Sequence, residues 1–419
     1  MRKEQTEVLV VGAGPVGLAT ALLLAEAGAE VQIIDREAQT AARSYACALH
    51  PATLKLLERL GLASALIEQG RKVQTVGLFE GQNRRAVLNL AEGGGDFSYM
   101  LIVPQNTFES LLEQRLRERG VKVNWNHRFD DLKQEADAVN VTIEKLGGTA
   151  TGYIVPHWET VVQDRFQLSA QFVVGCDGNG SLVKQRLGIE SIQLGGPEFF
   201  AAYEFEAGTP AEDEVKVVLD AASTNVLWPL SGNGHRWTFQ MVKSELSAEF
   251  PEKERRSVRL AQSNVNESIR QYVEKVAQRR APWFVSGVKE ITWCTDVVFR
   301  HSVAKSFGQG RVWLAGDAAH QTGPVGAQSM NVGILEAESL VGKIWRALQG
   351  DAQQVDLESY NAERLKEWQS LLGITEGLRP NSTTPPWIAE RYTRLLSCIP
   401  GSGENLIRLG AQLGLAVAK

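Results

Sequence analysis

Four cysteines in 419 residues, at 47, 176, 294 and 398 and with no C-x-x-C pair, leave nothing for a disulfide framework or a thiolate zinc site. Such sparse use suits a reducing compartment. The histidines, at 50, 127, 157, 235, 301 and 320, have no ligand spacing, so no metal site is expected. Charge of one sign is also lacking: 44 Lys+Arg stand against 49 Asp+Glu, a net charge of −5, with no basic run. That argues against nucleic acid as a partner. Long apolar runs are scarce. The uncharged stretch Val8 to Ala25 follows Arg2 and Lys3 as a signal peptide or membrane span would, but Gly12-Ala13-Gly14-Pro15-Val16-Gly17 interrupts it. The expectation is a soluble, cytoplasmic protein with no integral membrane segment. There is no internal repeat and no low-complexity linker.

What is present begins with a βαβ unit. Glu7 to Val11 is a β-branched run, the glycine turn follows, and Leu18 to Glu26 is built of helix formers with Gly28 just beyond as a C-cap. Val31 to Ile34 is a second buried strand, closed by Asp35. In a G-x-G-x-x-G turn the glycines permit tight turning, close backbone approach to a pyrophosphate and close helix–strand packing. The helix N-terminus then offers free N–H groups to the phosphates, and the acidic residue accepts ribose hydroxyls. The motif points to a dinucleotide and leaves NAD and FAD open.

Further along, helices are predicted over Pro51 to Leu60 and Gln105 to Arg119, and strands over Val121 to Trp125, Ala138 to Lys145, Gly152 to Val162 and Gln171 to Val174. The middle strands read as a meander turning at Gly147-Gly148. From about 190 to 300, short alternating strands dominate: Val215 to Leu219, Asn225 to Pro229, Arg236 to Val242 and Val288 to Trp293. A charged helix over Glu254 to Gln278, read as a solvated face, interrupts them. After Gly310 a buried strand returns, then a long helix from about Gly326 to Leu348 and a helical tail broken by prolines at 380, 385, 386 and 400. The tail stripe Leu406, Leu409 and Leu413 is expected to pack on the body, with a dimer contact or a membrane-surface contact as the alternatives. The fold class is α/β (α+β): a Rossmann-like domain, discontinuous over 1–75, 100–190 and 300–350, an inserted antiparallel-sheet substrate domain over 76–99 and 191–299, and a helical C-terminal segment over 351–419.

Two more motifs complete the pattern. Gly175-Cys176-Asp177-Gly178-Asn179-Gly180-Ser181 follows the apolar Phe172-Val173-Val174. Gly310-Arg311-Val312-Trp313-Leu314-Ala315-Gly316-Asp317-Ala318-Ala319-His320 continues through Pro324, Gly326, Asn331 and Gly333. Each sets an aspartate just past a buried strand, where a carboxylate can hold a ribityl or ribose hydroxyl. In this order and with these gaps, the three motifs resemble the class A flavoprotein monooxygenases, the group of para-hydroxybenzoate hydroxylase and the aromatic polyketide hydroxylases.

The resemblance implies an FAD enzyme that takes hydride from NADH or NADPH. Oxygen would add at flavin C4a, and the hydroperoxide would hydroxylate an aromatic or other electron-rich small molecule. It implies that Gly12, Gly14, Pro15, Val16 and Gly17 hold the pyrophosphate and that Asp35, with Arg36 beside it, serves the adenosine ribose. Arg43 sits near the family's arginine on the flavin side, Gln105 would reach the ribityl region, and Asp177 both FAD and the nicotinamide donor. Gly316 and Asp317 would hold the ribityl chain, Pro324 would lie over the isoalloxazine, and Gly326, Met330 and Asn331 would face its pyrimidine edge. Departures from the family are Ala327 and Ser329 in place of glycines, Lys184 and Tyr45 in place of arginines, and Glu336 in place of aspartate. In this family the inserted sheet roofs the substrate pocket, which makes Trp228, Trp237 and Phe239 candidate substrate residues, with plain sheet core as the competing reading; His235, on a Gly-rich turn, is a candidate substrate-side proton relay, with an exposed turn histidine as the competing reading. No protein nucleophile is called for, the electron donor has no second nucleotide fold to occupy, and the chain is expected as a monomer or homodimer. A flavin-dependent halogenase and a non-catalytic flavin-binding protein are the alternatives; no Trp-x-Trp-x-Ile-Pro run supports the first.

Overall fold

The structure is a computed structural model that describes residues 4–40, 46, 48–93, 96–151, 157–242, 263–350, 357–375 and 377–417. The strand Glu4–Val11 buries Val8, Leu9, Val10 and Val11 on both faces, as a central parallel strand must. It lies between Val31–Ile34 and His157–Gly175, both parallel to it. Val123–Asn124 and Val312–Leu314 extend the parallel set at either side, and the antiparallel strands Val139–Thr151 and His127–Gln134 continue from His157–Gly175. The helix Pro15–Ala27 is buried almost all round, packed against the helices Gln105–Glu118 and Gln328–Leu348.

A second eight-stranded sheet runs in the order His320–Gln321, Val288–Ala304, Ser191–Ala207, Gly234–Met241, Thr224–Pro229, Glu214–Leu219, Thr75–Glu80 and Asn83–Asn89. Its two faces bury different cores, as period-two alternation requires. Phe200, Val226 and Trp228 belong to the core shared with the first sheet. Phe205, Leu227, Trp237, Phe239 and Met241 form a second core, covered by the helix Ser263–Arg280 through Val273, Val276 and Ala277.

Several expectations change here. Gly147 and Gly148 are not a turn; they sit within Val139–Thr151 and pair with Val161 and Thr160. The two strands expected over 152–162 and 171–174 are one continuous strand, His157–Gly175, while 152–156 lie outside the described residues. Of the charged helix, 254–262 lie outside the described residues; the rest is not merely a solvated face, because its apolar side covers the second sheet. In the tail, Leu406, Leu409 and Leu413 are buried on the body. No helix among the described residues is long and apolar enough to cross a membrane.

Candidate active site

The ends of the parallel strands, the near face of the second sheet and the start of the Gln328–Leu348 helix enclose a cavity of about 290 Å³. It is lined by Gly14, Pro15 and Val16 of the turn, by Gln105, Cys176, Gly178 and Asp317, by Trp228 and Phe299 of the second sheet, and by Thr322 to Pro324 and Ala327 to Met330.

The glycine turn is shaped by close packing. A Cβ on Gly17 would lie 1.9 Å from the Gly12 carbonyl oxygen, and one on Gly12 2.4 Å from that of Cys176. A Cβ on Gly14 would meet nothing within 4 Å among the described residues, unlike those on Gly12 and Gly17. Asp35 fastens the turn from behind: Oδ2 accepts the Ala13 N–H at 2.6 Å and Oδ1 the Glu37 N–H at 2.8 Å. Arg36 is exposed, with Nε 3.3 Å from Glu37.

Asp177 Oδ2 accepts the N–H groups of Leu182 and Val183 at 2.7 and 3.2 Å, while its Oδ1 is buried with no partner among the described residues. Burial pushes its carboxyl above the usual range, and the same burial lowers the neighbouring Lys184 ammonium. Asp317 lines the cavity, accepts no hydrogen bond among the described residues, and is raised by burial. Cys176, also in the wall, is pushed up to about 12 by burial and stays a thiol.

The loop before the Gln328–Leu348 helix is tied from three sides. Ser329 Oγ accepts the Thr322 N–H at 2.9 Å, closing the loop over its own helix start. Asn331 Oδ1 accepts the His50 N–H at 2.8 Å, and its Nδ2 donates to the carbonyls of Ala48 and Ala327 at 2.9 and 2.7 Å. Gln328 Nε2 donates to the carbonyls of Leu396 and Ile399, both at 2.9 Å. His50, fully buried and pushed down to about 4 by that burial, is neutral and places Nε2 2.9 Å from the Gly326 carbonyl. Ala327 adopts φ 51°, a left-handed conformation that suits glycine.

The sequence-derived candidates therefore divide. Gly14, Pro15, Val16, Gln105, Asp317, Pro324, Met330 and Trp228 line one cavity. Gly12 and Gly17 stand behind it where backbones meet, Gly316 packs against the Val16 side chain, and Gly326 and Asn331 brace the loop rather than line the space. Asp35 and Asp177 flank the turn. Arg43 and Tyr45 lie outside the described residues. His235, Trp237 and Phe239 are on the far face of the second sheet, so the structure places none of them in the cavity. The inward face of that sheet instead offers Trp228 and Phe299. Phe299 was not anticipated because its strand, expected to end at Trp293, continues to Ala304.

The features of this cavity fit FAD: an open glycine flank for a pyrophosphate, a cavity carboxylate with no protein donor for polyol hydroxyls, and apolar walls for a ring system. Residues 5–373 match the family model described as FAD binding domain. The chain belongs to the FAD binding domain family. FAD is that family's cofactor, and the fold is that of the class A flavoprotein monooxygenases. Among relatives, 6-methylpretetramide 4-monooxygenase of Streptomyces rimosus is 30% identical over 371 residues, 88% of this chain and 61% of that protein. Pentachlorophenol 4-monooxygenase of Sphingobium chlorophenolicum is 26% identical over 380 residues, 88% of this chain and 64% of that protein. The chain thus spans less than two thirds of the length of these two relatives. The crystal structure of p-nitrophenol 4-monooxygenase from Pseudomonas putida DLL-E4 superposes with a TM-score of 0.73 at 21% identity, covering 98% of this chain and 99% of that one.

Proposed function

We propose that this FAD binding domain protein is a monooxygenase that uses NADH or NADPH and O2 to hydroxylate an aromatic, electron-rich small molecule in the cytoplasm, as a monomer or homodimer. The observation that carries the reading is one cavity that brings the glycine turn and Asp317 together with Trp228, Phe299 and Pro324. Relatives named for phenols and an aromatic polyketide support the substrate class. When bound, FAD supplies hydride acceptance and the reductive activation of oxygen. The chain's own residues bind, orient and exclude water. Gly14, Pro15 and Val16 receive the pyrophosphate at a helix N-terminus, and Gly12 and Gly17 hold the turn in shape behind them. Asp35 serves the adenosine ribose with Arg36 beside it, and Gly316 and Asp317 hold the ribityl hydroxyls. Gln105 serves the ribityl region, and Asp177 both FAD and the donor. The first turn of Gln328–Leu348, at Met330 and braced by Asn331 and Gly326, presents free N–H groups and a positive dipole end that favour negative charge on the reduced ring. Trp228, Phe299 and Pro324 form the dry wall on the substrate side. The discontinuous division into a cofactor domain and an inserted sheet domain follows the same logic.

The test is direct. The purified protein is loaded with FAD and supplied with NADH or NADPH and a panel of phenols under air. Donor oxidation stimulated by a phenol, with a product heavier by one oxygen atom, is expected. Failure to hold FAD, or donor oxidation with no oxygenated product from any aromatic, overturns the reading.

A further inference from the structure

On the Asn331 side of the flavin loop lies a second cavity, of about 270 Å³, which shares no lining residue with the flavin site. Two helices start at it. Pro51–Arg59 brings Ala52 and Thr53 to its wall, and Gly403–Gln412 brings Asn405 and the N-cap Ser402. Neither start is closed by a side-chain cap. In the first helix the Leu54 N–H reaches the His50 carbonyl, while those of Ala52 and Thr53 have no acceptor among the described residues.

Thr53 adds a separate observation. Its side chain is fully buried on this wall, and Oγ1 has no partner among the described residues. A buried hydroxyl left unpaired is costly, and a ligand oxygen relieves it. Lys55 and Arg408 border the cavity against a single carboxylate, Asp96; Glu404, in the first turn of Gly403–Gln412, is not in the wall. Phe97, Leu335 and Leu409 make another part of the lining apolar. His50 and Asn331 line it as well, and they hold the flavin loop. Asn331 Oδ1 accepts the His50 N–H at 2.8 Å, and its Nδ2 donates to the Ala327 carbonyl at 2.7 Å.

We propose that this cavity binds the carboxylate of a small organic acid and that its occupant tightens the hold on FAD. The carboxylate takes the Thr53 hydroxyl and the open N–H groups of Ala52 and Thr53, where two helix starts and two cations favour negative charge. The space exceeds what an inorganic ion fills, and its apolar side at Phe97, Leu335 and Leu409 receives the body of the acid. A ligand packed on His50 and Asn331 steadies the loop, so acid and FAD each strengthen the binding of the other. The site goes beyond the monooxygenase reading and does not depend on it.

The test titrates FAD-loaded protein with hexanoate in a calorimeter, with hexanol and inorganic phosphate as comparisons. Wild type is expected to bind a single hexanoate, and hexanol roughly tenfold more weakly or worse, because the charge-assisted hydrogen bonds are lost. Thr53→Val keeps the shape and removes a hydroxyl that has no partner, so the fold should hold while hexanoate weakens about tenfold. Arg408→Gln should weaken it too, and serves if Thr53→Val does not fold. Titration of FAD into cofactor-free protein should show binding about fivefold tighter or more at saturating hexanoate. No saturable hexanoate binding, equal affinity for hexanoate and hexanol, equal affinity in wild type and the variants, or tighter binding of phosphate than of hexanoate overturns the carboxylate site. FAD affinity unchanged or lowered by hexanoate overturns the coupling.

Discussion

Glu336 Oε2 lies 2.7 Å from His320 Nε2, with both side chains fully buried, and the same oxygen accepts the Gly316 N–H at 3.2 Å. Glu336 Oε1 takes the indole N–H of Trp368, whose ring stacks on His320 at 3.7 Å. One carboxylate thus fixes the backbone that presents Asp317 and a helix of the tail. Glu336→Ala leaves three donors buried without an acceptor, and the expected cost is about 3–5 kcal/mol. Denaturant unfolding measures it, and FAD affinity should fall as well because Gly316 loses its anchor. A loss below about 1 kcal/mol would show that the site relaxes around the gap.

The three glycines of the turn separate by consequence. Gly17→Ala sets a methyl against the Gly12 carbonyl and should lower the melting temperature of the protein without cofactor. Gly14→Ala meets no atom of the described residues, so its melting temperature without cofactor should be unchanged while FAD titration shows weaker binding. Equal FAD affinity in wild type and Gly14→Ala would mean that the cofactor does not approach this flank.

Ala327 occupies a left-handed conformation of the kind glycine adopts readily. A left-handed alanine costs roughly 1–2 kcal/mol, and a glycine replacement recovers that while adding roughly 0.5–1 kcal/mol of unfolded-state entropy. Ala327→Gly is therefore expected to be neutral or slightly stabilising. Ala327→Val, β-branched, should lose about 2 kcal/mol or more in the same unfolding measurement.

Legibility followed the constraint. The glycine turn, Asp177 and Asp317 can be read from sequence because backbone approach and strand-end carboxylates demand particular residues at particular spacings. Alternation along Gly234–Met241 correctly groups Trp237 with Phe239, but alternation does not say which face meets the first domain. That depends on pairing with Thr224–Pro229, where Trp228 faces the cavity and Leu227 the second core. The Gly147-Gly148 pair resembled a turn because glycine marks turns more often than long strands, and only pairing with Thr160 and Val161 reveals its place. Ser329 stood out as a departure; its bond to Thr322 is a tertiary contact that no local pattern encodes.

The placement of the tryptophans yields a contrast. Trp237 is fully buried, stacked on Phe239 with ring centroids 5.0 Å apart and packed beside Trp283 and Phe284. Trp237→Ala should cost about 3–5 kcal/mol in stability and leave the affinity of the folded protein for a phenol unchanged. Trp228→Phe, in the cavity wall, should change that affinity with less effect on unfolding. If Trp237→Ala weakened phenol binding at matched folding, the two faces of the sheet would be coupled.

His50 makes stability depend on pH with a definite sign. Its folded-state value is lowered from 6.5 to about 4 by burial, so between those values the unfolded chain carries a proton that the folded chain does not. Stability therefore rises with pH across that window; it is fully present above about 6.5, is lost as pH falls toward 4, and levels off below. The shift corresponds to about 3 kcal/mol. Urea midpoints measured from pH 4 to 7 should show this slope in wild type. His50→Gln, whose amide can still donate to the Gly326 carbonyl, should flatten it. A slope unchanged in His50→Gln would assign the acid sensitivity to other buried groups, with the Asp177 and Asp317 carboxyls excluded because their raised values give the opposite sign.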